Sequence, residues 1–139
     1  MQGYPPLLAR LMAARGVAAE ESQQQDMPHL LKPDAMLGCT HMARFLADAI
    51  LQKKRILIVG DYDADGATAT SVAMRGLQAM GAKVDFLVPN RFEYGYGLTP
   101  EIVALAARQQ PDVILTVDNG IASVEGVAAA KQLGLQVLI

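Results

Sequence analysis

The sequence has one cysteine and no tryptophan, and aromatic side chains make up only 5% of its 139 residues. The lone Cys39 excludes an internal disulfide and a multi-thiolate zinc site, so an ordinary, buried or partly buried thiol is expected. Histidines are also scarce. His29 and His41 lie in the N-terminal third, far in sequence from any acidic cluster, and are read as non-ligands. No apolar run approaches the roughly 20 residues that span a bilayer. The opening residues, with Pro5-Pro6 and Arg10, lack the basic-then-apolar order of a signal peptide. A cytoplasmic address with no membrane association is the expectation. Charge of one sign is lacking as well: 12 basic against 14 acidic residues give a net charge of −2, so composition carries no argument for nucleic acid. A hydrophobic fraction of 52% reads as one soluble globular core.

What the sequence does have is concentrated between Arg55 and Gly66. Ile56-Leu57-Ile58-Val59 is an unbroken apolar run rich in β-branched residues, the signature of a strand buried on both faces of a parallel sheet. Asp61, Asp63 and Asp65 follow within five residues, then Gly66, which permits a tight turn, and Ala67-Thr68-Ala69-Thr70, which can open a helix. Three carboxylates crowded at the end of a buried strand repel one another. A divalent cation is the simplest way to offset that cost.

The spacing elsewhere predicts an α/β fold. Residues 5–15 read as a short helix ended by Gly16, and residues 16–38 as loop with short helical turns, including the Gln-rich stretch Glu20 to Asp26. A helix is predicted over 40–52, with Thr40 as N-cap and Met42, Phe45, Leu46, Ala49 and Ile50 on one face. Residues 1–54 are thus expected to form a lead-in that packs on a domain occupying 55–139. From Arg55 onward strands at 55–60, 83–88, 112–117 and 136–139 alternate with helices at 67–80, 100–108 and 122–133. Thr99-Pro100-Glu101 marks a helix start by its hydroxyl cap, its proline and its acid near the positive end of the dipole. This is the pattern of an open parallel sheet with helices on both faces. The last strand, Gln136-Val137-Leu138-Ile139, ends the sequence and reads as the edge of something longer.

In such sheets ligands gather beyond the carboxyl ends of the strands, above all where the strand order reverses. With the order 2-1-3-4, Asp118 of Val117-Asp118-Asn119-Gly120 would face the same crevice as Asp61, Asp63 and Asp65. Carboxylates without thiolates suit Mg²⁺ or Mn²⁺. Four other readings compete. An EF-hand would need a Glu where Val72 stands, and a helix in place of the strand before the loop. A haloacid-dehalogenase-type phosphatase would need its Asp-x-Asp-Gly-Thr directly on the strand, with Thr where Ala67 stands. A phosphoacceptor domain would need a Lys after a fifth strand. Simple helix capping would use one Asp and leave the rest surplus. A second unusual stretch is Pro89 to Leu98, where Arg91 could pair with a phosphate, Tyr94 and Tyr96 could stack, and two glycines allow close backbone approach. The plain alternative is a surface loop in which Arg91 pairs with Glu93.

Together, Ile56 to Gly66, the Asn90 to Leu98 loop and Val117-Asp118-Asn119-Gly120 resemble the DHH phosphoesterase superfamily, most of all its bacterial exonucleases specific for single-stranded DNA. The resemblance implies Asp63 and Asp65 as catalytic metal ligands from a first motif, Asp118 as a catalytic, bridging ligand from a second, and Asp61 as an outer acid. It implies that the Arg91, Tyr94 and Tyr96 loop shapes the substrate groove, and that two Mn²⁺ or Mg²⁺ ions serve hydrolysis of phosphodiester bonds. The activity implied is 5′-to-3′ removal of mononucleotides from single-stranded DNA in recombination and repair, with other repair proteins as partners. The Asp-His-His motif that names the superfamily is not in these residues, so this piece alone is expected to bind metal weakly and to be inactive. Rival readings are an oligoribonuclease, a cyclic-dinucleotide phosphodiesterase, a manganese pyrophosphatase (which carries a His where Val59 stands) and a non-catalytic nucleic-acid-binding relative.

Overall fold

The computed structural model describes residues 4–18 and 30–139; the Gln-rich stretch and His29 lie outside them. The chain divides into two compact units between Cys39 and Thr40. In the first, helix α1 (Pro6–Ala14) carries proline at its first position, where the missing N–H costs nothing, and Gly16 follows it with a φ of 72°. A single 3₁₀ turn, Pro33–Ala35, is the other regular element described there.

Helix α2 (Cys39–Leu51) starts at the boundary residue, and from Thr40 onward it belongs to the second unit. It starts one residue earlier than the sequence pattern predicts, so Thr40 lies inside the helix and is not its cap. Strand β1 (Arg55–Val59) follows, then helix α3 (Ala64–Ala79), strand β2 (Lys83–Leu87), a four-residue helix α4 (Arg91–Tyr94), helix α5 (Pro100–Ala107), strand β3 (Val113–Thr116), helix α6 (Val124–Gln132) and strand β4 (Gln136–Leu138). The four strands form one parallel sheet in the order β2-β1-β3-β4, as the alternating pattern implied.

The alternation of side chains along β1 builds both layers of core. Ile56 and Ile58 point to one face, where they pack with Val113, Leu115, Ala49 and Leu77 against the apolar stripe of α2, Met42, Phe45, Leu46 and Ile50. Leu57 and Val59 point to the other, meeting Ile114 and, from α5 and α6, Ile102, Val103, Ala106 and Ala130. Burying each such aliphatic side chain stabilises the fold by about 1.5–3 kcal/mol, which is why a run with no polar partner residue forms the central strand. Among the described residues, no helix is long and apolar enough to cross a membrane.

Two further departures from the sequence expectation bear on the site. Helix α3 begins at Ala64 where the pattern suggested residue 67, because Asp63 is its N-cap: the carboxylate accepts the Gly66 N–H at 3.2 Å. Asp65 therefore belongs to the first helical turn. The stretch after β2 is not all loop, since Asn90 Oδ1 accepts the Phe92 N–H at 3.1 Å and nucleates α4. The predicted start of α5 holds, with the Thr99 hydroxyl accepting the Ile102 N–H at 3.3 Å.

Candidate metal centre

Strand register brings the acids together. Val59 stands beside Thr116 in the β1·β3 ladder, so Asp61 and Asp118, each two residues further on, leave the sheet at the same height. β1 is flanked by β2 on one side and β3 on the other, which makes the crevice above β1 and β3 the point where strand order reverses.

Close backbone approach holds each corner. Gly66 packs its Cα against the Asp61 main chain: a Cβ there would stand 2.5 Å from the Asp61 carbonyl oxygen. A side chain at Gly60 would collide with the Thr70 hydroxyl in the same way. On the other corner Asp118 adopts a φ of 61°, the left-handed region that aspartate tolerates better than most residues. Asn119 Nδ2 donates to the carbonyls of Val59 at 3.2 Å and Val117 at 3.0 Å, tying the β3 turn to the end of β1. Gly120, with a φ of 108°, completes the turn over Thr116.

As a result Asp61, Asp63 and Asp118 each offer a carboxylate oxygen, all lying within 4.8 Å of one another. Asp61 is only 9% exposed, whereas Asp63 and Asp118 open to solvent. Arg91, the first residue of α4, supplies positive charge: its Nη2 donates to Asp61 Oδ1 at 2.7 Å and to Asp63 Oδ2 at 3.2 Å. Its guanidinium is held over the rings of Tyr62 at 5.6 Å and Tyr96 at 5.4 Å. The Tyr96 hydroxyl donates to the Asp118 carbonyl at 3.3 Å, joining the α4 loop to the β3 corner.

The electrostatics remain lopsided. The Asp118 carboxyl is raised above its ordinary range by partial desolvation and then by the charges of Asp65, Asp63 and Asp61. Asp63 is lowered, foremost by the Gly66 N–H that it accepts and also by the Arg91 guanidinium. Arg91 is raised by Asp61 foremost and then by Asp63. Four acids act on one another here, only two of them paired with the guanidinium, and every donor atom they offer is a hard oxygen. A divalent cation such as Mg²⁺ or Mn²⁺ fits this set on charge and on donor chemistry. A cleft of about 800 Å³ opens beside it, lined by Asp118 and Tyr96 together with the starts of α5 and α6.

A sequence profile of the DHH family, N-terminal domain, matches residues 55–139. The chain belongs to the DHH family. Single-stranded-DNA-specific exonuclease RecJ of Salmonella typhimurium is 44% identical over 136 residues, 97% of this chain and 24% of that protein. The protein of the same name from Dickeya dadantii is 46% identical over equal shares. Among solved structures, exonuclease RecJ bound to manganese superposes with a TM-score of 0.70 at 39% identity, covering 78% of this chain and 28% of that one. RecJ in complex with Mn²⁺ from Thermus thermophilus gives 0.66 at 32% identity, over 91% and 17% of the two chains. The chain thus spans about a quarter of the length of these two relatives, 24% of each.

Within this DHH-family frame the residues singled out from sequence do not all fall alike. Asp63 and Asp118 meet, and Asp61, expected as an outer acid, stands with them as the third member of the trio. Asp65 is outside that trio, in the first turn of α3, yet near enough for its charge to act on Asp118. Arg91 pairs with Asp61 and Asp63 and not with Glu93. Tyr96 lies at the site, while Tyr94 packs partly buried against the core around Leu98 and Ile102. His41 is exposed on α2, and Cys39 is a half-buried free thiol. Tyr62, Phe92 and Asn119 are the site-side residues that sequence reasoning passed over. Tyr62 was hidden by its place among the aspartates, although an aromatic between two acids is an unusual neighbour.

Proposed function

We propose that the chain is the N-terminal portion, residues 55–139 with their lead-in, of a metal-dependent exonuclease that hydrolyses phosphodiester bonds in single-stranded DNA. The observation that carries this reading is the convergence of carboxylates from two separate βα corners beside one fixed guanidinium. The names of the relatives, and the manganese and magnesium in their solved structures, point the same way. Work from the 5′ end, a role in repair and recombination, and contacts with other repair proteins follow from the family resemblance. A cytoplasmic address goes with that role and suits the free Cys39 thiol.

On this reading Asp63 and Asp118 hold divalent ions, joined by Asp61 and Asp65. When bound, Mn²⁺ or Mg²⁺ supplies Lewis-acid charge to the phosphoryl group and makes a hydroxide nucleophile accessible near neutral pH. The chain's own groups set the geometry. The Gly66 N–H holds Asp63 Oδ1, so Oδ2 is the oxygen turned to the site. The Tyr62 N–H and Arg91 hold Asp61 Oδ1 at 2.7 Å each, which fixes that carboxylate before any ligand arrives. Arg91 is placed to take a non-bridging phosphate oxygen, held in position by its two tyrosine neighbours.

The direct test is Mn²⁺ titration calorimetry on this chain and on Asp63→Asn and Asp118→Asn variants, with hydrolysis of a single-stranded oligonucleotide measured on the full-length protein. Loss of Mn²⁺ binding in both variants, and of turnover in Asp65→Ala and Asp63→Asn, is expected. Wild-type turnover in full-length Asp63→Asn would remove the assignment.

A further inference from the structure

A chain with so few aromatics places three of them in solvent around one arginine. Tyr62 is 55% exposed, Phe92 87% and Tyr96 64%. Tyr62 and Phe92 meet edge to face with ring centroids 6.3 Å apart, and the Arg91 guanidinium lies between Tyr62 and Tyr96. None of these rings is needed for the core, whose two clusters close without them. Phe92 stands in solvent on a short helix that the Asn90 side chain caps at the Phe92 N–H and that the left-handed Gly95 ends three residues later.

We infer that Tyr62 and Phe92 form a stacking platform for an unpaired nucleobase of the strand whose phosphate Arg91 and the acid trio engage. The inference rests on the nuclease reading above and adds to it the residues that select a single strand. Arg91 is the physical link, because the same guanidinium touches the Tyr62 ring and donates to Asp61 and Asp63. A phosphate at the site therefore brings its own base beside these rings. Every base has a π-face, so stacking gives affinity without sequence preference. In the interior of a duplex both faces of each base are covered by neighbouring pairs, so the platform favours an unpaired strand. Phe92, an exposed hydrocarbon ring beside a cluster of carboxylates, has no evident use in binding a bare anion.

The test is titration of this chain, with diamagnetic Mg²⁺ present, by a thymidine oligonucleotide and by an abasic oligonucleotide of equal length, followed through the aromatic NMR signals. Phe92→Leu should weaken thymidine-oligonucleotide binding at least about fivefold, the low end for one lost base stack, and leave abasic binding unchanged, whereas Tyr62→Leu, whose ring also positions Arg91, should weaken thymidine-oligonucleotide binding more than abasic binding. Phe86→Leu, which removes a 51% exposed ring on β2 outside this cluster, should change neither. If the wild-type chain binds both oligonucleotides equally and the two site variants have no effect, the platform is refuted while the nuclease reading stands. If the wild-type chain binds neither with Mg²⁺ present, the platform is refuted as a feature of this chain; the nuclease reading falls only if the full-length protein also fails to hydrolyse single-stranded DNA.

Discussion

Two glycines in the same helix, Gly66 and Gly76 of α3, are expected to respond in opposite directions to the same substitution. At Gly76 an added Cβ meets nothing within 4 Å, so alanine brings only its better helix propensity. That should stabilise the chain by about 0.5–1 kcal/mol. At Gly66 the added Cβ would stand 2.5 Å from the Asp61 carbonyl oxygen and 2.7 Å from its carbonyl carbon and Cβ, where ordinary contact begins at 3.4 Å. All three are backbone or near-backbone atoms that cannot rotate away. The first turn of α3 must then draw back from the end of β1. Forcing such a contact costs about 1–3 kcal/mol, which outweighs the propensity gain. The displacement falls on Asp61 and on Asp63, whose Oδ1 is held by the Gly66 N–H, so the metal site should loosen too. A change of that kind in a supporting contact typically weakens metal affinity by about 10–100-fold. Urea unfolding gives the stability difference and Mn²⁺ calorimetry the affinity. Gly66→Ala should unfold at lower urea than wild type and bind Mn²⁺ more weakly. Gly76→Ala should unfold at higher urea with unchanged affinity. Two equally stabilised variants with wild-type Mn²⁺ binding would show that the approach of α3 to the β1 corner does not govern the site.

Further expectations follow from the same geometry. Asp118→Asn removes a carboxylate whose pKa is raised by its surroundings, so its charge opposes folding above that pKa; the metal-free variant should melt higher than wild type at neutral pH, while the melting increment from added Mn²⁺ shrinks. Glu101 has the opposite sign. Its carboxyl lies below its ordinary 4.5 because its own N–H and the Thr99 hydroxyl donate to it, so its contribution is present above 4.5 and is lost as pH falls through the folded value. Glu101→Gln should therefore lower the neutral plateau slightly and flatten the acid limb of the stability curve, because that contribution is then absent at every pH. Ile114→Ala empties a fully buried position at the centre of the sheet and should cost about 2–5 kcal/mol in urea unfolding.

The elements were legible because their signals are local. Val59, Gly60 and Asp61 mark where an apolar strand turns polar, and Thr99-Pro100-Glu101 marks a helix start whatever surrounds it. An unbroken apolar β1 has to be covered on both faces, which marks an open parallel sheet, while its strand order 2-1-3-4 was posited and is the order found. The start of α3 was not legible: Asp63 reads equally well as a loop acid or as a cap, and only its contact with the Gly66 N–H selects the cap. The fate of the 91–97 loop was hidden for the same reason, because Asn90 could turn toward several N–H groups.

By itself the chain's pattern determined that acids stand at the ends of β1 and β3 in an open parallel sheet, since hydrophobic periodicity and turn chemistry depend on neighbours in sequence. Which carboxylates share a point in space was decided only by tertiary structure. The register of Val59 against Thr116, the close approach of Gly66 to Asp61, and the reach of Arg91 from the next strand's loop set distances between residues in different βα units, and those distances separate Asp61 from Asp65. Sequence spacing carries no information at that range, because chain connectivity alone leaves such pairs free to meet or miss.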